Sequence, residues 1–95
     1  MDKQFLVHLS KSAQKQAKKL PVHIQGALEL WRDVIESEGI WAIRNIPGYH
    51  DEPLMGQRKG ERSSRLSRGY RVIYKELESG EIVIILVLEV NKHVY

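Results

Sequence analysis

The stretch DEPLMGQRKGERSSRLSRGYRVIY, residues 51–74, decides the fold of this chain. It carries five arginines and one lysine, and it ends in a run of aromatic and β-branched residues that is typical of a strand. Two acidic residues, Asp51 and Glu52, stand at its head. Basic residues that alternate with strand residues predict an anion-binding face built on a sheet.

Three antiparallel strands are predicted in and after this stretch, at residues 62–66, 70–77 and 81–91. Residues 67–69 and 78–80 suit three-residue hairpin loops, each with a glycine in the left-handed conformation.

These loops fix the register of the strands. The first loop places Arg65 opposite Arg71 and sets Leu66, Tyr70, Val72 and Tyr74 on the face that the helices cover. The second loop places Arg71 opposite Val87. Residues at odd positions after it, up to His93 and Tyr95, then share the face of Arg71. Two facing arginines repel each other unless an anion joins them.

The N-terminal half supplies the helices. Residues 4–9 read as a short strand, and Ser10 is the expected N-cap of a helix that ends at Leu20. After Pro21, apolar residues at three- and four-residue spacing predict a second helix over 22–38, with Trp31 in the core and Gly39 as its C-cap. Residues 40–46 fit either a helical turn or a tucked loop, with Trp41 covering an edge of the core.

Residues 47–60 are predicted to be a loop because of their proline and glycine content. The expected fold is therefore a single α+β domain over residues 1–95. Two helices pack on a small, mostly antiparallel four-stranded twisted sheet, in the order β-α-α-β-β-β.

The composition of the chain excludes several classes of protein and of functional site. The 95 residues carry a formal net charge of +3 and include no cysteine, which excludes disulfides, thiol chemistry and a cysteine-ligated zinc site. The N-terminus has no secretory pattern, and the longest apolar run, Ile82 to Leu88, is too short to span a bilayer. We therefore expect a cytoplasmic protein with no membrane partner, and the basic sequence favours a polyanion.

Three short motifs in order resemble the RelE/ParE superfamily of bacterial toxins. They are Glu52-Pro53-Leu54-x-Gly56, the pair Ser64-Arg65-Leu66-Ser67-Arg68 and Tyr70-Arg71-Val72-Ile73-Tyr74, and the ending Lys92-His93-Val94-Tyr95. Within the superfamily they are most similar to the YoeB-like branch of ribosome-dependent mRNA interferases. In that branch the toxin enters the ribosomal A site, cuts the mRNA there and inhibits translation.

The resemblance implies a role for each matching residue. Glu52 matches the general base that takes the proton of the 2′-hydroxyl, and Arg71 matches the arginine that stabilises charge on the phosphate. His93 matches the general acid that protonates the 5′-leaving oxygen. Tyr95 matches a terminal tyrosine that holds the substrate, and Arg65 falls on a basic strand position suited to phosphate or rRNA.

Further RNA contacts are expected from three neighbouring basic residues, Arg58, Lys59 and Arg62. Two positions depart from the branch: Met55 stands where a lysine is common, and Val94 separates a histidine and a tyrosine that are adjacent there. The motif leaves Asp51 open as an alternative base, and the role of His50 beside it is also open.

This chemistry needs a base and an acid on opposite sides of the phosphorus and a fixed cation for the phosphorane, so no cofactor or metal is expected. The resemblance also implies a cognate antitoxin, the 30S ribosomal A site with its rRNA and mRNA as partners, and operator DNA bound only through the antitoxin. Two other readings stay open: a ParE-like poison of DNA gyrase, and a non-catalytic basic domain that binds RNA or protein.

Overall fold

The computed structural model describes residues 3–92, and within that range it contains three α-helices and one sheet of five strands. The helices are α1 (Lys11–Lys18), α2 (Val22–Glu38) and α3 (Ile40–Asn45). The strands are β1 (Gln4–Leu9), β2 (Glu52–Pro53), β3 (Arg62–Ser67), β4 (Tyr70–Ser79) and β5 (Ile82–Lys92). Two short 3₁₀ turns, Pro47–Tyr49 and Gly56–Arg58, flank β2.

The strands lie in the order β1-β5-β4-β3-β2. The first strand pairs with β5 in parallel, and every other pairing is antiparallel. The predicted α+β class with a mostly antiparallel sheet is confirmed. The sheet has one strand more than predicted, because Glu52 and Pro53 pair with Ser63 and Arg62.

The N-terminal half follows its local signals closely. The hydroxyl of Ser10 accepts a hydrogen bond from the backbone N–H of Ala13 at 3.0 Å, which is the predicted cap of α1. Pro21 precedes α2, whose bounds are those predicted. Gly39 ends α2 with a φ of +91°, a conformation that favours glycine.

The core lies between α2 and one face of the sheet. Trp31 is fully buried, as predicted, and its ring meets that of Tyr74 edge to face with centroids 5.5 Å apart. Val72 and Tyr74 are fully buried, and Leu66 and Tyr70 pack against the same cluster, so the predicted inward face of the first hairpin is confirmed.

The first hairpin has the predicted pair but a different turn. Arg65 faces Arg71, as expected. Ser67 then faces Tyr70, so the turn has two residues, and Leu66 is the extra residue of a bulge. The prediction of a left-handed Gly69 was wrong. The residue that the prediction placed in a three-residue loop lies instead in the bulge, so the turn needs no left-handed glycine.

The predicted pairing of Arg71 with Val87 was also wrong, since Arg71 faces Asn91. The second turn comes later than expected, because Ser79 still pairs with Ile82. A bulge between Ile73 and Tyr74 adds a further shift. The left-handed Gly80, with a φ of +62°, lies in this turn as predicted.

Residues 40–46 resolve in favour of a helix. Ile40 and Ile43 of α3 fill the core, so Trp41 points outward and is 61% exposed. The expectation that Trp41 covers the core edge was therefore wrong. Its ring instead lies 4.7 Å from the guanidinium of Arg44.

None of the helices described within residues 3–92 combines the length and the apolar character needed to cross a membrane.

Candidate active site

The face of the sheet turned away from the helices carries the candidate site. Alternate residues of a strand point to opposite faces. Arg71 therefore points away from the core that holds Val72, and its ladder partner Arg65 lies on the same side. Glu52 pairs with Ser63, two residues before Arg65, and shares that face. The register thus brings a carboxylate and two guanidinium groups to one place.

These side chains line a partly enclosed recess of about 80 Å³. Its lining residues are His50, Glu52, Ser63, Arg65, Ser67, Arg68, Tyr70 and Arg71. Among residues 3–92, three arginines and one carboxylate line it, so the described lining carries a net positive charge. Planar guanidinium groups suit paired oxygens, and a phosphate group is an anion of that shape. Of the predicted site residues, Glu52, Arg65 and Arg71 are brought together here.

Asp51 has a different environment from its neighbour Glu52. Its side chain is 0% exposed. One carboxylate oxygen accepts a hydrogen bond from Arg62 Nε at 2.7 Å, and the other accepts hydrogen bonds from Ser64 Oγ and Tyr74 Oη, each at 2.5 Å. Arg44 Nε lies 3.8 Å from the first oxygen. Glu52, in contrast, is exposed and lines the recess.

The Asp51 cluster shifts the titration of its partners. Burial raises the pKa of the Tyr74 phenol, and the hydrogen bond to the Asp51 carboxylate raises it further. For Arg62, burial lowers the pKa, but the hydrogen bond and charge of Asp51 outweigh burial and leave it raised. Arg62, predicted as an RNA contact, is thus engaged by a buried carboxylate.

Arg58 crosses the open face of the sheet. It donates from Nε to Glu61 at 2.6 Å, and its terminal nitrogen forms an ion pair with Glu89 on β5. The hydrogen bond from Arg58 lowers the pKa of Glu89. The segment after β2 therefore folds over the sheet, and the predicted RNA contact Arg58 sits in an ion-pair network. Lys59 beside it is exposed.

His50 joins the site through its position in the recess. Its backbone is left-handed, with a φ of +42°, which is uncommon outside glycine. Residues in such conformations cluster at functional sites. The sequence signal was its place directly before the acidic pair in a loop rich in proline and glycine. His93 and Tyr95, predicted as acid and substrate contact, lie outside the described residues.

A metal centre finds no support within residues 3–92, where no three histidine, aspartate or glutamate side chains group around a possible ion. The polar groups that line the recess are the Glu52 carboxylate, the His50 imidazole, three guanidinium groups and the hydroxyl groups of two serines and Tyr70.

A second recess adjoins the first, on the helix side of the β3–β4 hairpin. It is more open than the first recess, has a volume of about 580 Å³ and is mostly apolar. Its apolar lining comes from Leu30 and Val34 of α2, from Ile46 and Tyr49, and from Leu66 on β3. Arg65 and Arg68 line both recesses. Leu30 is 58% exposed and Ile46 is 44% exposed, which is unusual for aliphatic side chains so close together.

No protein-family model and no curated protein sequence matches the chain. Solved structures do. YafQ from Escherichia coli BL21(DE3) superposes with a TM-score of 0.70 at 16% identity, covering 95% of this chain and 94% of that one. The toxin in the YoeB–YefM complex from Staphylococcus aureus gives 0.68 at 18% identity, with 97% and 99% covered.

The toxin–antitoxin complex RelBE2 from Mycobacterium tuberculosis is a further match, with a TM-score of 0.63 at 21% identity over 95% of this chain and 99% of that one. The structural neighbours thus span the RelE, YafQ and YoeB toxins. At these identities the likeness establishes the fold, and this chain has the α+β fold of the RelE-like toxins, the YoeB-like ones included.

Proposed function

We propose that this chain is the toxin of a type II toxin–antitoxin system and that it is a ribosome-dependent mRNA endonuclease. The recess that joins Glu52 to Arg65 and Arg71 is the observation that carries the proposal. Fold alone does not decide function, because the same architecture serves unrelated activities. A carboxylate beside arginines supplies two of the groups that cleavage of a phosphodiester by an internal hydroxyl needs, the base and the fixed cation.

In the proposed reaction, Glu52 takes the proton of the 2′-hydroxyl of the substrate. The freed oxygen attacks the phosphorus, and Arg71 stabilises the charge that builds on the phosphorane oxygens. The bond from phosphorus to the 5′-oxygen breaks as His93 donates a proton to that oxygen. The products are a 2′,3′-cyclic phosphate and a 5′-hydroxyl. Side chains supply every proton transfer in this scheme, so the proposed endoribonuclease needs no metal.

The proposed RNA partners are mRNA in the 30S A site and the surrounding rRNA. Arg65 and the exposed Arg68 and Lys59 are the basic side chains available to backbone phosphates. Tyr95 is proposed to hold the substrate, as the family resemblance implies. The site of action places the protein in the cytoplasm.

A cognate antitoxin is the second proposed partner, and RelB, DinJ and YefM play that part in the neighbouring complexes. We propose that the apolar recess between α2 and the β3–β4 hairpin receives it. The occupant is an antitoxin segment with apolar side chains flanked by carboxylates, because Arg65 and Arg68 rim the apolar surface. A segment bound there contacts Arg65 and Arg68, which also line the recess that contains Glu52 and Arg71, called the catalytic recess below. Operator DNA is then bound through the antitoxin.

The test is cleavage of mRNA on programmed ribosomes by the wild type and by Glu52→Gln and Arg71→Ala. Matched controls are Glu29→Gln and Arg32→Ala, which change the same residue types in an ion pair on α2. Loss of one charge-stabilising donor should lower the cleavage rate about 10²- to 10³-fold in Arg71→Ala. Loss of the base should lower it about 10²- to 10⁴-fold in Glu52→Gln.

Growth arrest on induction, with primer extension on a reporter mRNA, gives the cellular readout. The proposal is supported if the wild type and the two control variants cut mRNA in the A site and the two site variants do not. Arrest that survives in both site variants, with intact mRNA and DNA damage, would replace it with the gyrase-poison alternative. Absence of arrest and of cleavage would leave a non-catalytic binding domain.

A further inference from the structure

We propose that Asp51 is a positioning residue: its buried carboxylate fastens the segment that carries Glu52 to the two strands that carry the arginines. This inference rests on the proposed function, because it assigns Asp51 a part in the reaction that Glu52 begins. It also removes Asp51 as the alternative base.

The carboxylate accepts hydrogen bonds at both oxygens from donors on the sheet. Its two oxygens accept hydrogen bonds from Arg62, Ser64 and Tyr74 at 2.7, 2.5 and 2.5 Å, and the side chain is 0% exposed. A buried charge is tolerated only when it is paired and hydrogen-bonded, and this one is. A carboxylate so enclosed has no access to a hydroxyl group of a substrate on the other face.

The donors come from the strands that hold the arginines. Ser64 directly precedes Arg65 on β3, and Tyr74 lies three residues after Arg71 on β4, just past the bulge between Ile73 and Tyr74. Because consecutive residues point to opposite faces, Asp51 reaches the core side while Glu52 reaches the open side. One side chain therefore ties the segment that carries Glu52 to the two strands that carry Arg65 and Arg71.

The backbone alone holds this segment weakly. The strand β2 has two residues and pairs with β3 through Glu52–Ser63 and Pro53–Arg62 only. Before it stands the left-handed His50, and after it the Leu54 N–H donates to Glu61 O at 2.9 Å. A two-residue edge strand is marginal by itself. The Asp51 carboxylate supplies the additional anchoring.

The experiment compares Asp51→Asn with Asp33→Asn, a matched change at an exposed position on α2. Asparagine keeps the shape of aspartate but replaces one acceptor oxygen with a donor, so it cannot satisfy all the donors. Displacement of a reacting group by about 1 Å costs roughly 10²-fold in rate. We expect Asp51→Asn to lower the single-turnover rate on programmed ribosomes by about that factor, with the half-saturating ribosome concentration unchanged.

The pH dependence separates positioning from proton transfer. If Asp51 positions Glu52, the rise of the rate with pH keeps its midpoint in Asp51→Asn and only its height falls. Loss of that rise in Asp51→Asn, together with its persistence in Glu52→Gln, would make Asp51 the base and overturn the proposal.

A second variant and a second measurement keep the test decisive if Asp51→Asn folds poorly. Ser64→Ala removes one donor and should lower the rate by a smaller factor in the same direction. Hydrogen exchange on the free protein should rise at the Leu54 amide in both variants, a readout that needs no RNA. Wild-type rates and unchanged exchange in both variants would refute the positioning role. A wild type that does not cut ribosome-bound mRNA would instead refute the proposed function, whatever the exchange data show.

Discussion

Arg65 and Arg71 face each other directly across the β3–β4 ladder, on the open side of the sheet. Like charges directly opposite each other destabilise a sheet, whereas favourable cross-strand pairs stabilise it by roughly 0.2 to 1 kcal/mol each. Both guanidinium groups line one recess, and in the described part of the chain Glu52 is the carboxylate that lines it with them. An arrangement that costs stability and gathers positive charge in a cavity is suited to bind an anion.

The facing arginines predict opposite effects of Arg65→Ala on stability and on binding. Relief of the repulsion should raise the free energy of unfolding of the free protein by a few tenths of a kcal/mol, up to about 1 kcal/mol. The same change should weaken the stabilisation that a short RNA oligonucleotide gives to the wild type. Thermal melts with and without the oligonucleotide check both effects, with Arg32→Ala as control. A variant stabilised by RNA as strongly as the wild type would contradict the anion-site reading.

The ion pair between Arg58 and Glu89 predicts a pH-dependent loss of stability in Glu89→Gln. The pKa of Glu89 is lowered, chiefly by the hydrogen bond from Arg58, so its ionised form favours the folded state. The stabilisation is complete above the ordinary pKa of 4.5 and disappears as the pH falls through the lowered value. Both side chains are partly exposed, so the loss at pH 7 should be about 0.5 kcal/mol.

Urea unfolding of wild type and Glu89→Gln from pH 7 down to acid pH measures this difference. The exposed Glu81 supplies the control Glu81→Gln. A difference between wild type and Glu89→Gln that persists unchanged in strong acid would argue against the ion pair as its source.

The buried phenol of Tyr74 predicts a change in alkaline stability. Its pKa is raised, first by burial and then by the bond to Asp51, so the neutral phenol favours the folded state. That contribution is present below the ordinary pKa of 10.0 and is lost as the pH rises above it. Tyr74→Phe should cost about 1.5 to 3 kcal/mol at pH 7, the range for a hydrogen bond to a charged group.

Above pH 10 the wild type should lose stability more steeply than Tyr74→Phe, by up to about 1.4 kcal/mol per pH unit. Denaturant unfolding at several alkaline pH values gives the two slopes. Equal slopes would mean that the Tyr74 phenol ionises as easily in the folded chain as in the unfolded one.

The apolar recess beside α2 predicts a separation of antitoxin binding from cleavage. Leu30→Glu places a charge on its exposed wall and should weaken the complex with the antitoxin by at least tenfold, because an acidic side chain there meets an acidic partner. Cleavage by the free toxin should remain at the wild-type rate, because Leu30 does not line the catalytic recess. Titration calorimetry with the antitoxin and the ribosome assay measure the two effects. Unchanged affinity in Leu30→Glu would exclude this recess as the docking site.

The parts of the fold that sequence predicted are those with strong local signals. The Ser10 cap, the α2 helix with Trp31 and the β1 strand each follow from patterns within one element. The facing of Arg65 and Arg71 was also predicted correctly, although the turn that produces it was not. A bulge at Leu66 has the same effect on register as the expected three-residue loop.

The parts that sequence missed depend on contacts between distant residues. A two-residue strand such as β2 has no periodicity to detect, and its existence follows from pairing with β3. The predicted partner of Arg71 was wrong because the turn comes after Ser79 and a bulge between Ile73 and Tyr74 shifts the register, and neither has a local sequence signal. The Asp51 side chain is buried and Glu52 is exposed, and this difference cannot be read from two adjacent acidic residues in the sequence.

The pairing of β1 with β5 has a consequence for folding during synthesis on the ribosome. The first strand has its ladder partner near the end of the described chain, in residues 82–92, so the sheet stays incomplete while those residues are still unsynthesised. Strands that lie this far apart in the sequence pair late in folding, because the whole intervening chain must first be closed into a loop. The strand that completes the core also carries Asn91 opposite Arg71. A ribosome that makes this protein must therefore synthesise β5 before the product acquires the surface that we propose to act on ribosomes.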